Sequence, residues 1–401
     1  MRIVMKFGGS SLASAIHIRR AAELIARQRA EGDQVAVVVS AQGDTTDALI
    51  EKVREINPEL CGRERDMLLC CGEQMSMALM AMQLEALGCP AVSFCGWQAG
   101  IRTESRHGDA RILKVEPHRV KQVLEQGRVA VVAGFQGIDE EGELTTLGRG
   151  GSDTTAVALA AALRADLCRI YTDVQGVYSA DPRVVEQARV HREISYDEML
   201  EMASLGAKVL HSRAVELARE HGVRVEVRST FAPQTGGTAL GSECGHRQAV
   251  RGIACDDRVD MVTVMGLGDG PETCRLFNCL ADSGISIDVI IRSPGDRPER
   301  GVVSFSVGAA DREKVAAVLK SSQRELNFSG FLVQTDMAKV SVVGAGMSDG
   351  CGVAAGMLRA LQEGEIRPQY ITTGELRISV ILPKAQAQQA VRLIHAAFFE
   401  N

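Results

Sequence analysis

Apolar runs and polar, glycine-containing breaks alternate along the chain, and the spacing of the apolar positions changes from run to run. Arg2 to Phe7 alternates towards a buried strand and stops at Gly8-Gly9-Ser10-Ser11, after which helical spacing runs through Ile18 to Arg29. Val35 to Val39 is continuously apolar, the pattern of a strand buried on both faces, and Ser40 ends it. The polar turn Gln42-Gly43-Asp44-Thr45-Thr46-Asp47 then opens the next helix. Glu64 to Leu87 predicts one long helix whose Met and Leu stripe is core packing, and which carries Glu73 and Ser76. Short strands are predicted at Ala91 to Phe94 and Val129 to Ala133, with Trp97 to Gly100 and Glu104 to Gly108 between them as a hairpin or lid. Thr145 to Ala156 reads as a strand, a glycine-rich turn and a helix start. Leu167 to Tyr171 is a strand, Tyr196 to Ser204 and Val209 to His221 are helices, and Val223 to Ser229 is a strand again. Strands alternating with helices, with polar loops at the strand ends, predict a three-layer α/β domain of about 230 residues.

The last third is patterned differently. Gly236-Gly237-Thr238 closes the first domain, and the polar stretch Ser242 to Gln248 reads as a linker. Met261-Val262-Thr263-Val264-Met265-Gly266-Leu267-Gly268 is then echoed by Lys339-Val340-Ser341-Val342-Val343-Gly344-Ala345-Gly346. Each copy runs from a strand through a glycine turn into a helix, and further strands follow at Gly301 to Val307 and Leu376 to Leu382. The expectation is two small α+β units of β-α-β-β type. The predicted boundaries are 1–240 for the first domain, 241–258 for the linker, and 259–335 and 336–401 for the two units.

Composition narrows the class. A chain of 401 residues exceeds one typical core, and 45% hydrophobic with 24% charged residues is ordinary for a globular protein. The net charge of -6 argues against nucleic acid as a partner, since phosphate neutralisation needs a basic face. No apolar run of membrane-spanning length and no signal-peptide layout are read, so a cytoplasmic protein away from membranes is expected. The 11 cysteines are an odd count without C-x-x-C pairing or histidines at ligand spacing. Reduced, mostly buried thiols are expected, with no resident metal site; any metal arrives with a substrate.

Three stretches carry candidate chemistry. In Thr145 to Ala156, Ser152 and Asp153 are good N-cap residues, the amides of Gly150 and Gly151 point outward, and Arg149 offers a fork of donors to a carboxylate or phosphate. At the chain start, Lys6 precedes Gly8 and Gly9 in the strand, turn and helix arrangement that cradles phosphate oxygens, without the order of a Walker loop. Thr172 to Arg183 collects aspartates, a glycine, Tyr178 as a stacking surface and Arg183 for phosphate. Taken singly, each also fits a bland alternative: a tight turn with a solvated arginine, a snorkelling lysine, a long surface loop. Glu73 fits either a cleft-facing carboxylate or a solvated helix face.

The motifs together resemble those of the aspartokinase family. Lys6 to Ser11, Ser40 to Asp47, Gly72-Glu73-Gln74-Met75-Ser76, Gly96 to Ile101, Thr145 to Ala156, Tyr171 to Arg183 and Gly206-Ala207-Lys208-Val209-Leu210-His211 occur in the family's order over nearly the whole chain. The resemblance implies the amino-acid kinase fold, a three-layer α/β/α sandwich, followed by two ferredoxin-like ACT domains. It implies ATP and Mg²⁺ as cofactors and transfer of the γ-phosphoryl group to the side-chain carboxylate of L-aspartate. By matching position, Lys6 and Asp153 are implied as catalytic, Lys6 holding the transferring phosphoryl group, with Gly8, Gly9 and Ser10 beside it. Ser40, Thr46, Glu73, Phe135, Arg149 and Ser152 line the aspartate pocket, Glu73 taking the ammonium and Arg149 the α-carboxylate. Thr172, Asp173, Tyr178, Arg183 and Lys208 form the nucleotide site. A carboxylate nucleophile is already ionised at neutral pH and needs no general base.

Paired ACT domains imply amino-acid effectors, lysine and/or threonine, and a homodimer or larger homo-oligomer. The effector loops depart from the family pattern: Gly270-Pro271-Glu272-Thr273, Ile291-Arg292-Ser293-Pro294, Asp349-Gly350-Cys351-Gly352 and Arg367-Pro368-Gln369-Tyr370 stand where Pro-Gly, an Asn-containing stretch, His-Pro-Gly and Asn-Ile-Glu are usual. Weakened or retuned feedback inhibition is therefore expected. Two rivals are a kinase of another small molecule on the same fold, opposed by the Arg149, Glu73 and Thr46 set that suits an amino acid bearing both charges, and a catalytically silent amino-acid sensor, opposed by the intact Lys6, Glu73, Arg149 and Asp153.

Overall fold

The computed structural model describes residues 1–58, 60–207, 209–241, 249–268, 270–297, 300–347 and 352–400, and for 295–297 the backbone only. The chain divides into one unit of Met1–Tyr178 with Arg189–His246 and another of Ser179–Ala188 with Arg247–Asn401.

In the first unit the elements run β1 (Arg2–Phe7), α1 (Ala15–Ala30), β2 (Gln34–Val39), α2 (Thr45–Ile56), α3 (Arg63–Ala86), β3 (Ala91–Phe94), β4 (Ile101–Thr103), β5 (Ile112–Val115), α4 (His118–Glu125), β6 (Val129–Ala133), β7 (Gln136–Ile138) and β8 (Leu144–Thr146). They continue through α5 (Gly151–Leu163), β9 (Leu167–Thr172), β10 (Glu193–Ser195), α6 (Tyr196–Ser204), α7 (Ser212–His221), β11 (Val225–Ser229) and β12 (Thr238–Gly241). The main sheet has the order β10-β12-β11-β9-β1-β2-β6-β3, parallel from β11 to β3. As the continuous apolar runs predict, β2 and β6 are buried on both faces. Ile3, Met5 and Phe7 of β1 pack with Ile18, Ala22 and Ile25 of α1 and with Met80 and Leu84 of α3. The period of two therefore turns Val4 and Lys6 to the opposite face, where α5 packs on β1 and β2. Nearly every residue of α5 is buried, as its small-residue composition requires. The predicted hairpin is β4–β5, which with β7 and β8 forms a separate four-stranded sheet, β5-β4-β7-β8.

One expectation needs correcting here. By length and composition α3 is long and apolar enough to cross a membrane, contrary to the reading that no such run exists. In the fold one face of it packs on α1, β3 and β6 and buries Asp66, Glu73, Met80 and Leu84, while Met67, Met75, Leu79 and Met82 are exposed, so the Met and Leu stripe read as core packing is core only in part.

The second unit contains β13 (Gly252–Gly268), α8 (Pro271–Asp282), β14 (Ile287–Arg297), β15 (Arg300–Gly308), α9 (Arg312–Leu326), β16 (Gly330–Val343), α10 (Val353–Glu363), β17 (Tyr370–Thr373), β18 (Arg377–Pro383) and α11 (Ala387–Phe399). One antiparallel sheet, β14-β15-β13-β16-β18-β17, runs through it. Two cores lie along this sheet: Val262, Val264, Leu276, Phe305, Leu319 and Phe328 build one, and Ile253, Val340, Val342, Leu361, Val380 and Ile394 the other.

The predicted boundaries change accordingly. Residues 252–258, read as linker, are strand: Gly252 to Asp256 pair with Val343 to Lys339, whereas Val259 to Met265 pair with both β15 and the first half of β16. The second module thus takes its fourth strand from residues preceding the first module, and the first module is inserted within it. Length explains this, because β13 and β16 span both cores in single continuous strands. Ser179–Ala188, placed in the kinase domain by the sequence, also belongs to this unit; Ala180 and Val185 join its second core. Residues 242–248 of the predicted linker and 349–351 of the third effector loop lie outside the described residues.

Candidate active site

The carboxyl ends of β1, β2, β6, β9 and β11 point the same way, and the polar loops predicted from sequence follow them directly. This is the edge where open α/β sheets bind ligands. Glycines let the loops converge: a methyl added at Gly9 would lie 2.9 Å from the Ala41 carbonyl oxygen, and one at Gly72 would lie 2.8 Å from Ala41 Cβ. Likewise a methyl at Gly134 would meet Ser152 at 2.8 Å, which brings the β6 loop against the first turn of α5.

Lys6 projects from the end of β1 towards this turn, and its Nζ lies 2.6 Å from Asp153 Oδ1 with both side chains nearly buried. Gly8 is adjacent, since its absent methyl would fall 3.5 Å from that Nζ. Its N–H, however, donates to the Tyr171 carbonyl at 3.2 Å, so Gly8 is corrected from amide donor to a spacer that lets Lys6 pass. Gly9 and Ser10 begin a short 3-10 turn, Gly9–Leu12, and first-turn amides have no carbonyl within the turn to bond. They are the amides available to an anion.

Glu73 is the other charged group at this edge. It is 3% exposed, and Oε1 accepts from the Ala41 N–H at 3.0 Å. Its Oε2 is buried without a hydrogen-bond partner. Burial pushes the carboxyl pKa up to about 7, against the lowering effect of the Ala41 amide. A buried carboxylate oxygen without a donor costs free energy unless a ligand supplies one.

Ser152 and Asp153 are not N-caps as the sequence suggests. The cap is Gly150 in the left-handed region at φ 72°, and both residues sit in the first helical turn, where Ser152 is buried. Arg149 is exposed on the preceding turn. Phe135 also has positive φ, 68°, and its N–H donates to Thr155 Oγ1 at 3.1 Å, which locks the β6 loop to α5. Ser40 and Thr46 are partly buried beside the Ala41 to Gly43 turn, with the Ser40 N–H bonded to the Phe7 carbonyl at 3.1 Å. Thr172 ends β9 with its hydroxyl 3.0 Å from Asp173 Oδ1, and Tyr178 forms a bridge with Val190.

Two predicted nucleotide residues are not brought into this group. Lys208 lies outside the described residues. Arg183 falls in the second unit, where its guanidinium forks onto Asp181 at 2.7 and 3.0 Å. One residue was missed. His211 caps α7 so closely against the glycine turn that a methyl on Gly150 would lie 2.3 Å from its Cβ. Its Nδ1 is buried without a partner; burial lowers its pKa, nearby Asp153 opposing. It closes the Gly206 to His211 motif, which was the signal available in sequence.

Among the described residues no group of three or more His, Cys, Asp or Glu is placed to hold a metal ion. An ammonium, open amides at a strand-to-helix turn and a buried carboxylate awaiting a cation suit a phosphate donor and a zwitterionic acceptor. The comparisons agree: residues 1–229 match the amino acid kinase family model and 340–398 an ACT domain model, so the class is that of amino acid kinases carrying ACT domains. An aspartokinase of Bacillus sp. (strain MGA3) is 47% identical over 99% of this chain and 97% of its own. Escherichia coli aspartokinase III, solved with aspartate and ADP in an R-state, is 26% identical with a TM-score of 0.86, covering 100% of both chains. The same enzyme with lysine and aspartate, in a T-state, is 27% identical with a TM-score of 0.75 over 99% of each chain. The chain belongs to the aspartokinase family and is an aspartate kinase.

Proposed function

We propose that Lys6, Glu73 and the α5 turn carry the transfer of the γ-phosphoryl group of ATP to the side-chain carboxylate of L-aspartate. The observation that carries this is the buried, unpartnered Glu73 Oε2, which the aspartate ammonium satisfies. Arg149 takes the α-carboxylate, and Ser40, Thr46, Phe135 and Ser152 complete the pocket. Lys6, aimed by Asp153, neutralises the transferring phosphoryl group together with the amides of Gly9 and Ser10. Mg²⁺ bound with the nucleotide would add charge neutralisation to that supplied by Lys6 and the amides of Gly9 and Ser10. A side-chain oxygen of aspartate attacks the γ-phosphorus in line, and the bond to the bridging oxygen breaks. ADP leaves with that electron pair, and no proton moves, so the site needs only positioning and charge. Thr172, Asp173 and Tyr178 hold the nucleoside end.

Trapping the acyl phosphate with hydroxylamine in the presence of ATP and aspartate tests this reading; no hydroxamate above background would end it. The E. coli structure with lysine supports a lysine-responsive ACT pair here, and a homo-oligomer acting in the cytoplasm fits the family. The altered loops at Gly270 to Thr273 and Ile291 to Pro294 predict weak inhibition. Assays with lysine and threonine, singly and together, check it, and strong inhibition at low millimolar effector refutes it.

A further inference from the structure

Asp66 sits on α3 about two turns before Glu73, which puts the two carboxyls on one face of a single helix, about 10 Å apart along its axis. It is 0% exposed, and its charge is met by donors from two other segments. Thr146 gives Oδ2 its N–H and Oδ1 its hydroxyl, both at 2.8 Å, and the Gly108 N–H donates to Oδ2 at 2.9 Å. Thr146 ends β8 just before the turn that carries Arg149, and Gly108 lies in the loop between β4 and β5. Burying a carboxylate is costly, and charge-assisted bonds of this kind are what offset the cost.

The same stretch is held from other sides. The Ala110 N–H donates to the Thr146 carbonyl at 2.9 Å, and the Leu147 N–H to the Phe135 carbonyl at 2.9 Å. Arg213 of α7 donates to the Leu147 carbonyl at 3.3 Å and pairs with Asp109 at 2.7 Å. Gly148, at φ 73°, fits against that pair, since a methyl there would lie 2.6 Å from Asp109 Oδ1. Arg149 is thus an exposed head on a base whose preceding residues are fixed one by one. Of the bonds just named, only those of Asp66 run to the helix that carries Glu73. The ammonium and α-carboxylate of an amino acid stand a fixed distance apart, so the spacing of the two groups that take them governs how well both are held at once.

We infer that Asp66 is a positioning residue for the amino-acid substrate: through Thr146 it fixes the turn that presents Arg149 at a set distance from Glu73. The inference rests on the proposed roles of Glu73 and Arg149. Asp66→Asn and Thr146→Val test it in the full-length enzyme, with Thr146→Ser as the variant that keeps the hydroxyl. Asp66→Asn sets an amide donor against an N–H and is expected to raise the aspartate KM about tenfold; Thr146→Val, which removes one bond, raises it about threefold. ATP KM and kcat stay within about twofold in both, and Thr146→Ser stays within about twofold of wild type throughout. Because Asp66 acts through Arg149, Asp66→Asn should add less than about twofold to the loss of aspartate kcat/KM in an Arg149→Ala background. Both KM values rising together, a full multiplicative loss in that double variant, or a lower Tm with unchanged aspartate KM would each overturn it. If Asp66→Asn does not fold, Thr146→Val decides alone on the same readings. Arg149→Ala separates the inference from the reading beneath it. If it leaves the aspartate KM unchanged, the α-carboxylate assignment fails; if it raises the aspartate KM while Asp66→Asn and Thr146→Val do not, only the present inference fails.

Discussion

Glu73→Gln tests the site through the one group whose ionisation the fold visibly perturbs. In the free protein the carboxyl has a pKa of about 7, raised by burial, and Oε2 lacks a partner. Only the ionised form attracts an ammonium, so wild-type kcat/KM for aspartate should fall about tenfold per pH unit below 7 and level off above it. The glutamine keeps the shape and loses the charge. At pH 8 its kcat/KM for aspartate should be lower by about a hundredfold, in line with the roughly 2–5 kcal/mol cost of truncating a buried charge pair. The ATP phosphate also titrates near pH 6, so the quantity to plot is the ratio of wild type to variant at saturating ATP, in which that titration cancels. Stability gives an independent reading. A carboxyl whose folded pKa lies above its unfolded value of 4.5 favours folding most below pH 4.5, and that advantage is lost as pH rises through about 7. Above pH 7 the buried charge therefore costs up to about 3 kcal/mol, at roughly 1.4 kcal/mol per pKa unit. Glu73→Gln should stabilise the ligand-free protein by that order at pH 8 and by little at pH 5, measured by urea denaturation. A pH-independent ratio between pH 6 and 8, or a variant no more stable at pH 8, would refute the reasoning.

Lys6→Ala should lower kcat by at least about a thousandfold in the hydroxamate assay, and it should also destabilise the fold by roughly 3 kcal/mol, because Asp153 loses its partner. Substantial residual turnover would remove Lys6 from its role. Arg149→Ala should raise the aspartate KM far more than the ATP KM in steady-state kinetics, with little change in Tm because the side chain is exposed; equal effects on both would move it out of the aspartate pocket. Gly150→Ala should lower stability by about 2 kcal/mol or more, since its φ is 72° and the new methyl would lie 2.3 Å from His211 Cβ. An unchanged urea midpoint would argue that the turn can rearrange.

Much of this was legible in the residue order. Where the signal is local, as in the apolar period of β1 and β2, the Gly8-Gly9 break or the small-residue run of α5, the sequence placed the elements within a few residues. Local chemistry also marked Lys6 and the Gly150 turn, because short motifs sit at strand ends whatever the packing around them, whereas Glu73, in the middle of a helix, joined them only through the family resemblance. Two readings failed for reasons of partnership. Gly8 looks like an anion donor until the Tyr171 carbonyl occupies its N–H, and Ser152 looks like a cap until Gly150 takes the left-handed position. The interleaving of the ACT modules was hidden for the same reason. Residues 252 to 258 are polar enough to read as linker, and only the facing strand β16 makes them part of a sheet. By itself, then, the sequence determined which segments form strands and helices and which side chains carry charge to the loops, since those follow from nearest-neighbour periodicity. The tertiary structure alone decided which amides are already spent, which module each strand completes, and that Glu73 is left with an oxygen unpaired, because these depend on partners distant in the chain.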